Sequence, residues 1–278
     1  MLKKLISKLF FVFFFFIVSH SLCEAQGPKP FTTPFFAPLY GSLPVKYSEC
    51  KMVSVTFKTD PDVVQKLVPK PLVPHPEGLM LINAGEFSVP DYERDGFSFP
   101  GRAYLEVALG TPVKFGEMPG RFWIVLYLDK QYAGVPIGRE VWGHPKKAAD
   151  ISFVEEGGNI TFRVARFGKT LIDLGFTQKG KIEPVPVVPP ANSFNLKYIP
   201  SVKKDAPPEV MQLTVVRTRI QVKEMYLGQA TLKFDSLSAD PLGTIPIRQI
   251  LSANYGIISA GEMDFGEILH DYLAKEKK

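Results

Sequence analysis

One short stretch, Ile137-Gly138-Arg139-Glu140-Val141-Trp142-Gly143-His144-Pro145-Lys146-Lys147, brings together two glycines, an arginine, a glutamate, an indole, an imidazole and two adjacent lysines. Charged groups interleaved with an indole suit the lining of a cleft. A lysine amine condenses with a keto group to give an iminium, which accepts the electrons released when a neighbouring carbon–carbon bond breaks. Only the neutral amine attacks. Bringing a lysine from its ordinary value of about 10.4 to near neutrality means penalising the ammonium by roughly 4 to 5 kcal/mol. On residue type alone, a Lys-Lys pair is an ordinary solvated surface feature. If Pro145 to Lys147 is extended, however, the two side chains point to opposite faces, and Lys147 cannot crowd Lys146. For a pair in which one lysine is the reacting amine, that pattern favours desolvation as the means of activating it and leaves the other to form a structural ion pair.

The segment resembles the signature of the acetoacetate decarboxylase family, in which Gly-Arg-Glu is followed shortly by Pro-Lys-Lys and the first lysine of the pair forms the Schiff base; here that residue is Lys146. Tyr127-Leu128-Asp129, Leu196-Lys197-Tyr198-Ile199-Pro200 and Pro246-Ile247-Arg248-Gln249-Ile250 look like further family landmarks, and the resemblance runs roughly from Tyr47 to Tyr272. Acetoacetate decarboxylase is itself the familiar case of a lysine activated by desolvation or by an adjacent cation. The resemblance implies an α+β, β-rich domain built around a closed, cone-like antiparallel barrel with a few peripheral helices. It also implies assembly into homo-oligomers and a catalytic set of Lys146, Glu106 and Lys147. Glu106, in Tyr104-Leu105-Glu106, matches a family active-site glutamate that steers a proton or orients substrate. Arg139, Glu140, Trp142 and His144 are expected to bind substrate or to support the motif, with Arg139 and Glu140 as a buried brace. His144 stands where the family commonly carries an aromatic ring, so packing is its expected role. Two positions depart from the family: Cys50 falls where decarboxylases carry a substrate-side arginine, and Asn83 where they carry a glutamate.

The activity implied is decarboxylation of a β-keto acid such as acetoacetate, with no metal or organic cofactor because the protein supplies its own amine. Loss of the arginine keeps two alternatives open. One is an aldolase or dehydratase using the same lysine, and the other is a non-catalytic binder of an apolar carbonyl compound.

The elements that must hold these residues are mostly strands. Val53, Val55 and Phe57 alternate with polar neighbours, and Thr59-Asp60-Pro61 then supplies a helix N-cap with proline at the first helical position. This helix is expected to stop near Val68, before Pro69. β-branched and aromatic enrichment predicts strands over Leu79–Asn83, Ala103–Leu109, Phe122–Leu128, Leu171–Phe176, Met211–Val222 and Gln229–Phe234. Ile151–Val154 and Ile160–Val164 flank a glycine-bearing turn and read as a hairpin, with a glycosylation sequon at Asn159. Glu183 to Pro190 is a proline-rich connector that reads as a surface loop. Phe265, Ile268, Leu269 and Tyr272 have helical spacing and predict a C-terminal helix.

At the N-terminus, Lys3, Lys4 and Lys8 precede an unbroken apolar run from Leu9 to Val18, with small residues near Ala25. That is the pattern of a signal peptide over residues 1–25, cut before Gln26, and it implies a secreted or otherwise extracytoplasmic protein. The run is about half the roughly 20 residues of a membrane-spanning helix, and no stable span is expected after cleavage. A lead over residues 26–46 then precedes the domain at 47–278. Cleavage removes three lysines and Glu24, taking the formal charge from +5 to +3. So mild an excess, spread without a basic block, gives no support to nucleic-acid binding. Of the two cysteines, Cys23 leaves with the signal, so Cys50 has no partner and a disulfide framework is excluded.

Overall fold

The computed structural model describes residues 39–41, 43–94, 97–129 and 134–274. The predicted signal peptide and most of the lead lie outside the described residues. From Leu39 on, the chain forms one compact unit.

In chain order the elements are β1 (Val45–Tyr47), β2 (Cys50–Lys58), α1 (Pro61–Leu67), β3 (Val73–Pro74), β4 (Leu79–Val89), β5 (Tyr92–Arg94), β6 (Phe97–Phe99), β7 (Arg102–Phe115) and β8 (Met118–Leu128). There follow α2 (Gly134–Ile137), a π-helical turn (Gly138–Trp142), β9 (Lys146–Ala148), β10 (Asp150–Glu156), β11 (Asn159–Arg166), β12 (Lys169–Lys181) and β13 (Ala191–Ile199). The chain closes with β14 (Val210–Phe234), a 3-10 turn (Leu242–Thr244), β15 (Gln249–Met263) and β16 (Glu267–Asp271).

Strands β15, β2, β4, β7, β8, β13 and β14 pair in that order, and β14 pairs again with β15, so the sheet closes on itself in a ring. All these pairings are antiparallel except the short contact between β8 and β13. Strand β14 is what makes closure possible. Its first part pairs with β13, its middle with β15 and its last part with β12, from which β11 and β10 extend outward. The strand period sets the two faces of the ring. On β2, Val53, Val55 and Phe57 are buried in the main apolar core, whereas Met52, Ser54 and Thr56 line a cavity.

Three expectations are corrected. The C-terminal segment is a strand, β16, paired with β14 across a register shift at Leu213/Thr214. This irregularity gives apolar positions the three- and four-residue spacing of a helix. Met211–Val222 and Gln229–Phe234 belong to one continuous strand, because between them Glu224 to Leu227 pair with β15 and Gly228 with β12, while Lys223 falls at a register shift. Asp60 sits at the N-cap of α1, but its side chain makes no cap hydrogen bond; its carboxylate instead accepts from Arg248 Nε at 2.9 Å and Nη2 at 2.8 Å. A bidentate, charge-assisted pair outcompetes a cap. The helix, the 151–164 hairpin and the extended backbone at Lys146–Lys147 form as the pattern predicts.

Candidate active site

Lys146 owes its place to strand register. Asn254, Ser54, Asn83, Ala108, Leu126 and Lys146 pair successively across β15, β2, β4, β7, β8 and β9, forming one row. Paired residues share a face, and this whole row lines one cavity of about 360 Å³. Glu106 is two residues from Ala108 on β7 and so points the same way. Its Oε2 lies 3.1 Å from Lys146 Nζ, with the lysine side chain 4% exposed and the glutamate 13%. A second cavity, of about 300 Å³, touches Lys146 from another side and is lined by tyrosines 40, 47, 92 and 104 and by Trp142.

The motif upstream of Lys146 works by close packing. A Cβ on Gly138 would lie 2.5 Å from Lys146 Cδ and 2.8 Å from Cε, so only glycine lets the lysine stem pass over the π-helical turn. Gly143 ends that turn at φ +80°, with the backbone of Lys197 against the place a side chain would take. His144 N–H donates to Gly138 O at 2.8 Å, and Leu126 N–H to Pro145 O at 3.1 Å, which ties the loop to both the turn and β8.

The other sequence candidates divide between the cavity and its supports. Trp142 is buried; its Nε1–H donates to Asp264 O at 2.8 Å, and its carbonyl accepts from Thr214 Oγ1 at 2.7 Å. Arg139 and Glu140 are exposed and do not form the expected buried pair. Arg139 Nη1 donates to Lys146 O at 3.3 Å, and Glu140 Oε2 accepts from Tyr40 Oη at 2.9 Å. The exposed outer side of the π-helical turn leaves each free to brace a different neighbour. Lys147 points away from the cavity, to Asp240 Oδ1 and Ala239 O, each at 2.8 Å. Asp240 is fully buried, and it also accepts from Tyr127 Oη at 2.8 Å and from Arg166. Cys50 and Asn83, the two departures, both line the cavity. Burial pushes the Cys50 thiol up.

His144 is buried in the same cavity, and neither ring nitrogen has a hydrogen-bond partner among the described residues. Burial, and then the Lys146 and Arg121 cations, hold its imidazole well below the usual range, so it is neutral. Arg121, on β8, also lines the cavity, and the sequence reading passed it over. Its guanidinium stacks 5.2 Å from the Trp123 ring centroid, and it forms no ion pair with any acid among the described residues. Desolvation pulls its pKa down to about 10, which still leaves it charged at neutral pH.

A buried amine thus lies against a carboxylate in the wall of a cavity lined by a closed ring of strands. The family model for acetoacetate decarboxylase matches residues 32–273. The chain therefore belongs to the acetoacetate decarboxylase family. It is 28% identical over 256 residues to an acetoacetate decarboxylase of Burkholderia multivorans, covering 89% of this chain and 97% of that one. To an acetoacetate decarboxylase of Clostridium botulinum it is 25% identical over 266 residues, covering 91% and 100%. The fold superimposes on the crystal structure of acetoacetate decarboxylase from Legionella pneumophila with a TM-score of 0.71 at 23% identity, over 88% of this chain and 94% of that one.

Proposed function

We propose that the protein is a Schiff-base carboxy-lyase that decarboxylates a β-keto acid of the acetoacetate type. The observation that carries this reading is the buried Lys146–Glu106 contact of 3.1 Å at the wall of the cavity. The amine of Lys146 attacks the keto carbon, whose oxygen leaves as water to give the iminium. The bond to the carboxyl carbon then breaks and carbon dioxide departs. The electron pair moves into the iminium and leaves an enamine. Glu106, in contact with the nitrogen that becomes part of this system, is positioned to deliver a proton to the enamine carbon. Hydrolysis returns the amine and releases the ketone.

Arg121 takes the part of the arginine absent at Cys50. A cation desolvated in a cavity wall without an anionic partner is costly, and a substrate carboxylate would relieve that cost. The unpartnered, neutral imidazole of His144 offers an N–H donor to the same substrate. Trp142, Arg139 and Glu140 hold the lysine loop, and Lys147 acts through Asp240.

The remaining readings are the sequence's own. Residues 1–25 are proposed as an export signal, the lead as residues 26–46, and the mature chain as a secreted homo-oligomer with no bound cofactor. The expected mature mass begins at Gln26, and intact-mass measurement of protein recovered outside the cell checks it. Asn159, exposed at the start of β11 beside the hairpin turn, is open to glycosylation where the host performs it.

The test of activity is borohydride reduction in the presence of acetoacetate, with peptide mapping and carbon dioxide release measured side by side. An adduct on Lys146, lost together with carbon dioxide release in Lys146→Ala, is the expected result. A folded protein that forms no adduct and releases no carbon dioxide is not a Schiff-base decarboxylase.

A further inference from the structure

We infer that the preferred substrate carries an apolar chain longer than the methyl group of acetoacetate, making it a medium-chain 3-oxo acid that is decarboxylated to the methyl ketone. This rests on the decarboxylase reading above and extends it to the part of the same cavity that four-carbon chemistry leaves unused. The groups able to act on a keto acid are Lys146, Glu106, Arg121 and His144, and all come from β7, β8, β9 and the loop before β9. The β2, β14 and β15 part of the wall is different in kind. It presents Met52, Ile220, Val222, Met225, Ile258 and Met263, with the uncharged Ser54 and Asn254 among them. Val188 and Pro189 of the proline-rich connector complete the lining, so this segment is a wall of the site as well as a surface loop.

Acetoacetate has one methyl group beyond its keto carbon, and a cavity of about 360 Å³ lies in the range that accepts far larger ligands. Met52, Ile220, Val222 and Met225 are only half-buried although they line a cavity. An alkyl chain lying against them removes apolar surface from water on both partners. Three of the six apolar side chains are methionines, whose unbranched thioethers conform to chains of differing length. The reaction is unchanged by the tail. Lys146 Nζ bonds to C3 as the keto oxygen leaves as water, and the C1–C2 bond breaks with C1 leaving as carbon dioxide. Its electron pair forms the enamine, C2 takes a proton, and water returns to C3. The sum is a 3-oxo acid anion plus a proton going to a methyl ketone plus carbon dioxide.

The experiment is a chain-length series on the mature protein: acetoacetate, 3-oxohexanoate, 3-oxooctanoate and 3-oxodecanoate, assayed for carbon dioxide release, with borohydride trapping in parallel. Each methylene buried against the wall should raise kcat/KM about three- to fourfold until the cavity is full, with the gain in KM and kcat little altered. Carbon dioxide release that is best for acetoacetate and falls with length overturns the inference while the decarboxylase reading stands. No carbon dioxide from any member overturns both. Met225→Trp should narrow the apolar end and lower the 3-oxodecanoate to acetoacetate ratio of kcat/KM at least tenfold. Val222→Phe provides the same reading if the tryptophan variant does not fold, and an unchanged ratio in a folded variant counts against the inference.

Discussion

At the scale of single residues, the site makes separable demands on acid, anion and imidazole. Glu106→Gln keeps the shape and removes the proton carrier, so kcat should fall about 100- to 1,000-fold while borohydride still traps substrate on Lys146; mass spectrometry after reduction distinguishes this from loss of binding. Arg121→Met should raise KM for acetoacetate roughly ten- to hundredfold with kcat largely kept, the pattern of a lost charged hydrogen bond made equally in ground and transition states. His144 contributes to pH dependence through stability. Because burial keeps its imidazole neutral in the folded protein, the unfolded chain takes up a proton below its ordinary value of about 6.5 and the folded chain does not. Stability therefore declines as pH falls below that point. His144→Phe should flatten the dependence of melting temperature on pH between about 6.5 and 5, measured by calorimetry. Lys146 and Glu106 were legible in the sequence because their motifs carry a family resemblance. Arg121 was not: an arginine before Phe122-Trp123 reads as the polar end of a strand, and only the register shift at Ile124, between Trp123 and Val125 on β8, turns it to the face that carries Leu126 and Lys146.

Among the elements, the strand carrying Lys146 is anchored through its neighbour in sequence. Lys147 from β9, Tyr127 from β8 and Arg166 from β11 all converge on the buried Asp240 carboxylate. Desolvation pushes that carboxyl up, but the bonds from Lys147 and Tyr127 outweigh it and hold it below the usual range. Asp240→Ala leaves these donors facing one another and should cost about 3 to 5 kcal/mol, read as a lowered midpoint in urea. Lys147→Ala should lower the midpoint less, since this lysine is 37% exposed, and should leave the pH–rate profile in place; a shifted profile would mean that Lys147 acts on Lys146 directly. The element pattern was readable where one face is buried, as on β2, because burial enforces a period of two. It failed at the C-terminus, where the irregular pairing of β16 imitates a helical period. It also divided β14, whose central residues Glu224 to Gly228 stay paired where the apolar pattern is interrupted.

For the molecule as a whole, ring closure means that no ring strand can leave without breaking two ladders. Unfolding followed by far-ultraviolet circular dichroism and by the fluorescence of Trp123 and Trp142 should therefore give coincident transitions. A separate, earlier fluorescence change would show that the site opens independently of the ring. The same closure dictates an order of events during synthesis. Strand β15 fills the gap between β2 and β14, and every other strand of the ring precedes it in the chain. Until it emerges from the ribosome, β2 and β14 each keep an unpaired edge of the kind that seeks a partner, and the longest-range pairing is the last that can form. The ring therefore cannot close before residues 249–263 have been synthesised. Until then the two unpaired edges leave the polypeptide exposed to aggregation when a chaperone is not at hand.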